Sequence, residues 1–132
     1  MTITTGKLAR TAGVGIQTIR FYEREGLLEP APRSESGYRK YGDADLARLR
    51  FIRRAQELGF TLREIRELIE LQGSPDAPCD RVCEKATEKL ADVRQRIADL
   101  TRMENALAAL TGTCEGSVPV SQCTVVESLR VP

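Results

Sequence analysis

Residues 5–28 read TGKLARTAGVGIQTIRFYEREGLL. The stretch breaks into two short helical runs about a glycine. Thr5 is placed to cap a helix over residues 6–11, with Leu8 and Ala9 turned inward. Gly13 supplies the turn, because glycine alone enters left-handed backbone without cost. A second helix is expected from Ile16 to Glu25, anchored by Ile19, flanked by Phe21 or Tyr22, and ended by Gly26. Two short helices joined by such a turn make a helix-turn-helix. The same spacing fits any helical hairpin, so this stretch alone leaves DNA binding and plain packing evenly matched.

The following residues favour nucleic acid. LLEPAPRSESGYRKYG, residues 27–42, holds two prolines, a Ser-Glu-Ser-Gly turn and then Tyr-Arg-Lys-Tyr. Two short extended pieces about a turn read as a β-hairpin, a wing. Arg33 falls on its first arm, and Tyr38, Arg39 and Lys40 on its second. Arginine and lysine suit phosphates, and a tyrosine hydroxyl adds a donor. Basic residues interleaved with aromatics on a hairpin carry more information than a basic run.

Working outward, DADLARLRFIRRAQELGFTLREIRELIELQ, residues 43–72, reads as a second helix pair. Asp43 or Asp45 caps a helix to about Leu58, whose inward stripe is Leu46, Leu49, Ile52 and Ala55. Thr61 and Glu64 have capping-box spacing for the next helix, which turns Leu62, Ile65, Leu68 and Ile69 inward. GSPDAP, residues 73–78, is a linker. From Asp80 to Leu110 the chain has no glycine or proline. Val82, Ala86, Leu90, Val93, Ile97, Leu100, Leu107 and Leu110 recur at steps of three or four, a coiled-coil seam of about four heptads. A rod of about 45 Å is longer than a small domain can cover. Its simplest partner is a second copy of the chain, which gives a homodimer.

Composition sets the class. Of 132 residues, 41% are hydrophobic, 30% charged and 5% aromatic, with no tryptophan, which favours long helices with aliphatic seams over a large compact core. Net charge is +1. Residues 1–72 carry 13 Lys and Arg against 10 Asp and Glu, and residues 73–132 carry 7 against 9. That mild asymmetry gains meaning only from the basic motif it sits on. No apolar run reaches bilayer length, and the first residues, MTITTGKLAR, have no secretion-signal core, so a cytoplasmic protein without membrane contact is expected. In that compartment four cysteines and no histidine point to metal or redox chemistry rather than to structural disulfides.

TIRFYEREGLL, RSESGYRKY, RLRFIRRAQELGFTL and, on the long helix, ADLTRME together resemble the MerR family of transcriptional regulators. The resemblance spans essentially the whole chain and is nearest to the mercury-responsive and related heavy-metal-responsive branch. It implies a mainly α protein: a winged helix-turn-helix domain, an antiparallel coiled-coil dimer and a short C-terminal metal-binding loop. It also implies an effector bound at the dimer interface, and activation by distorting promoter DNA for RNA polymerase. The expected division is residues 1–72 for DNA binding, 73–79 as linker, 80–111 for dimerisation, and 112–132 for the loop and tail. Carried over residue by residue, Thr18, Arg20 and Tyr22 contact base or phosphate. Tyr38, Arg39 and Lys40 contact DNA from the wing, with Arg33 beside them, and Arg53 grips backbone phosphate. Phe21 belongs to the core instead.

The cysteines are then read together. Cys79 precedes the long helix, and Cys114 and Cys123 follow it in CEGSVPVSQC, residues 114–123. Helix length separates the first from the other two within one chain. In an antiparallel dimer, Cys79 of one chain meets the loop of the other, in agreement with the family pattern of one cysteine before the helix and two after it. An all-thiolate, three-coordinate site suits mercury(II), Hg(II), ahead of Pb(II), Cd(II) or Zn(II); zinc more often takes four ligands, with histidine among them. The alternative is that these are small buried side chains, which a polar loop argues against. Cys83 lies one turn after Cys79. A buried or half-exposed helix cysteine is its preferred reading; as a fourth ligand it would favour cadmium or zinc. A thiol metal-buffering protein would account for the cysteines but not for the winged domain. A thiol oxidoreductase would need a C-x-x-C pair, and a drug sensor a larger C-terminal domain, so no enzyme activity is expected.

Overall fold

The computed structural model describes residues 2–32, 37 and 39–132. Among the described residues six α-helices follow in order: α1 Thr5–Ala12, α2 Ile16–Arg24, α3 Asp43–Glu57, α4 Leu62–Gln72, α5 Asp80–Gly112 and α6 Thr124–Arg130. The chain forms two compact units, Met1–Lys85 and Ala86–Pro132.

In the first unit, α1 packs on α2 and α3, and α4 packs on α3. Leu8 and Ala9, Ile19, Leu49, Ile52, Ala55 and Ile65 all turn into one core, as their helical spacing requires. Tyr22, Leu27, Leu28 and Tyr41 complete it. Thr4, rather than the neighbouring Thr5, caps α1 by accepting the Lys7 N–H at 3.3 Å. Gly13 ends α1 at φ +73°, the left-handed conformation that favours glycine. Gly42, rather than Asp43 or Asp45, caps α3; Asp45 instead accepts the Gly42 N–H at 2.8 Å. The Thr61–Glu64 capping box forms as expected, with both reciprocal bonds present. Arg66 of α4 donates to the Glu25 carbonyl at 2.6 Å, which satisfies an orphan acceptor at the end of α2.

Among the described residues no strand forms. An antiparallel bridge pairs Ile3 with Tyr41 through two backbone hydrogen bonds of 2.7 Å. Lys40 N–H also donates to the Pro32 carbonyl at 3.1 Å, linking the two arms of the expected hairpin. The hairpin tip, with Arg33 and Tyr38, lies outside the described residues.

The first unit extends beyond the boundary expected at residues 72–79 and takes in the linker and the start of α5. Lys85 Nζ stands 2.5 Å from Glu67 Oε2 on α4. Its hydrogen bond and then its charge hold the Glu67 carboxyl below the usual carboxylate range.

The second unit holds the rest of α5, a 3-10 turn at Val120–Gln122 and α6. α5 has 33 residues, two past the expected Leu110, and measures about 50 Å at 1.5 Å per residue. Its seam is open: Leu90 is 46% exposed and Ile97 57%, and Leu100, Met103 and Leu107 are exposed further along. No helix among the described residues is long and apolar enough to cross a membrane.

Candidate nucleic-acid face and thiol sites

The helix-turn-helix presents a groove of about 470 Å³ lined by Thr4, Thr5, Gly6, Ile16, Arg20 and Arg39. Its lining brings together three features suited to a polyanion. The first turn of α1 supplies the positive end of a helix and carries no acidic residue. Arg20 is exposed on α2. Arg39 reaches the groove from the wing side.

Arg39 is held in place. Its Nη1 lies 2.6 Å from Glu23 Oε1, and the Tyr41 hydroxyl donates to Glu23 Oε2 at 3.1 Å. Glu23 has a side chain only 5% exposed, so this carboxylate is an internal tie between α2 and the residues after the wing. Hydrogen bonding with Tyr41, and then the Glu23 charge, hold the Arg39 guanidinium above its ordinary value. One sequence-expected contact is thus a fixed cation with a structural partner.

The remaining expected contacts divide. Lys40 is exposed, and Thr18 and Arg53 are half-buried. Tyr22 turns inward: it is 2% exposed, and its hydroxyl donates to Gln56 Oε1 of α3 at 2.5 Å. The helical repeat explains this burial, since Tyr22 follows the inward anchor Ile19 by three residues and shares its face. Phe21 packs against the core as expected, half-buried. Ile16, not among the expected contacts, is 41% exposed at the start of α2 and lines the groove. An exposed aliphatic side chain there is suited to a thymine methyl group.

The thiols form two places. Cys79 and Cys83 meet at the start of α5, with sulfurs 3.7 Å apart, and both are exposed. The preferred reading of Cys83 as a buried or half-exposed helix residue therefore fails for this chain. Hydrogen bonding to Cys79, and then the Cys79 charge, raise the Cys83 thiol above its ordinary value. Cys114 is exposed and Cys123 half-buried. The loop between them closes at its neck, where Thr124 Oγ1 donates to the Thr113 carbonyl at 2.8 Å. Thr113 immediately precedes Cys114 and Thr124 immediately follows Cys123. Gly116 turns the loop at φ +75°, and the 3-10 turn after Pro119 leads Cys123 into α6. Among the described residues no three His, Cys, Asp or Glu side chains gather into a metal-binding group within the single chain.

The chain matches two family models. One is described as MerR HTH family regulatory protein, over residues 3–72, and the other as MerR, DNA binding, over residues 46–110. A mercuric resistance operon regulatory protein of Shigella flexneri is 41% identical over 128 residues, 97% of this chain and 88% of that protein. The crystal structure of the transcription regulator PbrR691 from Ralstonia metallidurans CH34 in complex with lead(II) superposes with a TM-score of 0.84 at 36% identity, covering 96% of this chain and 98% of that one. HiNmlR, a MerR family regulator bound to promoter DNA, gives a TM-score of 0.64 at 30% identity over 86% of each chain. The chain belongs to the MerR family, whose members are transcription regulators and not enzymes.

Proposed function

We propose that the protein is a metal-responsive regulator that binds double-stranded promoter DNA as a homodimer and activates heavy-metal resistance genes through RNA polymerase. Its effector is a thiophilic ion, mercury(II), held by Cys79 of one subunit and by Cys114 and Cys123 of the other. The arrangement of thiols carries this reading: one lies at the start of a continuous 33-residue helix and two lie beyond its end. An antiparallel pair of these helices would bring the one thiol of each chain beside the two of the other, and would do so twice. Identity of 41% to a mercuric resistance regulator over nearly the whole chain supports the choice of ion. Soft thiolates without histidine support it further. The exposed seam of α5 supports a second copy as partner, since its aliphatic side chains remain in water in the single chain. The expected place of action is the cytoplasm.

A lead(II) response is the second reading, favoured by the likeness to a regulator solved with lead(II). Cadmium(II) and zinc(II) belong to the same class of reading. A buffering protein, by contrast, has no use for the basic groove beside α2.

The deciding experiment is transcription from the chain's own upstream promoter with purified protein and RNA polymerase, adding Hg(II), Pb(II), Cd(II) and Zn(II) in turn. Activation at the lowest concentration by mercury(II) is expected. Activation by lead(II) first would select the second reading. Tight metal binding without any sequence-specific DNA binding would sink both in favour of a buffer.

A further inference from the structure

Cys83 has no place in the three-thiolate site, yet its sulfur lies 3.7 Å from that of Cys79. The contact follows from helix geometry. Residues four apart share a face, and Cys83 N–H donates to the Cys79 carbonyl at 2.9 Å, so Cys79, immediately before α5, already accepts the first bond of the helix. Two thiolates on a tetrahedral ion with metal–sulfur bonds of about 2.3 Å stand about 3.8 Å apart. On a linear two-coordinate ion they stand about 4.6 Å apart at the same bond length. The observed separation, that of two thiols in contact, lies close to the tetrahedral value and well short of the linear one, so an ion can bridge the pair with little movement of either side chain. Cys79 also lines an open groove of about 560 Å³ with Leu71, Pro75, Pro78 and Val82, which gives an ion an approach from solvent.

The geometry points to a dithiol arm: Cys79 and Cys83 of one chain together bind a tetrahedral thiophilic ion, which makes Cys83 a specificity-determining ligand. Each ion taken up by the pair displaces two thiol protons. The arm itself lies within one chain. Only its completion to four thiolates, by Cys114 and Cys123 of the partner subunit, rests on the cross-subunit reading above. Mercury(II) is satisfied by three thiolates, whereas cadmium(II) and zinc(II) gain from the fourth, so Cys83 widens the response toward tetrahedral ions.

The test uses the full-length protein with cadmium(II) as probe. In the Cys114→Ser/Cys123→Ser variant, the arm is expected to bind about one ion per chain through two thiolates, read by charge-transfer absorbance and by about two protons released. Adding Cys83→Ser is expected to weaken that binding at least about tenfold by removing the chelate. Absence of the band in the first variant, or binding unchanged by the added Cys83→Ser, overturns the arm. In the otherwise unaltered protein, Cys83→Ser is expected to lower absorbance per bound cadmium by about a quarter, from four thiolates to three. It should also lower cadmium affinity at least about tenfold while leaving mercury(II) affinity within about twofold. An equal effect on both ions, or none on either, overturns Cys83 as a specificity ligand. The two readings fail separately, because an arm that binds in Cys114→Ser/Cys123→Ser stands even if no site forms across subunits.

Discussion

The Tyr22 hydroxyl lies 2.5 Å from Gln56 Oε1 and ties the second helix of the helix-turn-helix to α3. Tyr22 is buried and Gln56 half-buried, so the bond is partly shielded from water. Tyr22→Phe keeps the ring and removes only this donor. We expect a loss of about 1 kcal/mol in folding stability, the net worth of one such hydrogen bond. Operator affinity measured well below the melting temperature should stay unchanged, with the same dependence on salt. Urea unfolding and a salt series of DNA-binding curves check both. A Tyr22→Phe protein of full stability but weakened DNA binding would make the Tyr22 hydroxyl a DNA contact.

This residue also shows how far the sequence could be read. The two helices, their glycine turn, the Thr61–Glu64 box and the α5 seam were legible because each rests on local spacing. The burial of Tyr22 was legible in its three-residue step from Ile19, whereas its bond to Gln56 joins two helices distant in sequence and was not. Caps were legible to within a residue: Thr4 and Thr5 offer the same hydroxyl, and only backbone conformation selects between them. The Arg39–Glu23–Tyr41 tie was not legible, since it joins residues 16 and 18 positions apart across a fold not yet known. The four-residue spacing of Cys79 and Cys83 was visible, but not that both thiols would be exposed and in contact.

Arg20 and Arg39 line one groove but should behave differently when removed. Arg20→Ala is expected to weaken operator binding by about 1–3 kcal/mol if it reads a base edge, or to reduce the salt slope by about 1 if it holds a phosphate. Stability should not change, because Arg20 is exposed. Arg39→Ala strips a cation from the buried Glu23 carboxylate and should also cost about 2 kcal/mol of stability. Affinity and its salt dependence for both variants, together with their unfolding curves, separate the roles. Unaltered DNA binding by Arg20→Ala would remove α2 as the groove reader.

The dimer is expected to depend on the α5 seam. Leu90 and Ile97 are both about half exposed in the single chain and sit seven residues apart on one stripe. Leu90→Lys or Ile97→Lys would bury an unpaired ammonium on association, at a cost larger than a seam position returns. Sedimentation should then show monomers, with helix content by circular dichroism largely retained. Unaltered dimers for both variants would mean that the seam of α5 is not the dimer interface.

The cross-subunit site makes the sharpest demand. Cys79→Ser, Cys114→Ser and Cys123→Ser should each abolish mercury-dependent activation, because a hard hydroxyl does not replace a soft thiolate. A heterodimer of one Cys79→Ser chain with one Cys114→Ser/Cys123→Ser chain should regain one complete site. The first chain keeps its loop pair, and the second keeps Cys79. Both chains also carry Cys83→Ser, so that Cys83 cannot stand in for Cys79, and the opposite site then retains no cysteine. Binding is measured with an excess of competing monothiol, which removes mercury(II) held by only two protein sulfurs. The three-thiolate charge-transfer band should return at about one ion per heterodimer and should be absent from either homodimer. If the heterodimer forms, as shown by two different affinity tags, and the band does not return, Cys79 and the loop pair do not share an ion across the dimer.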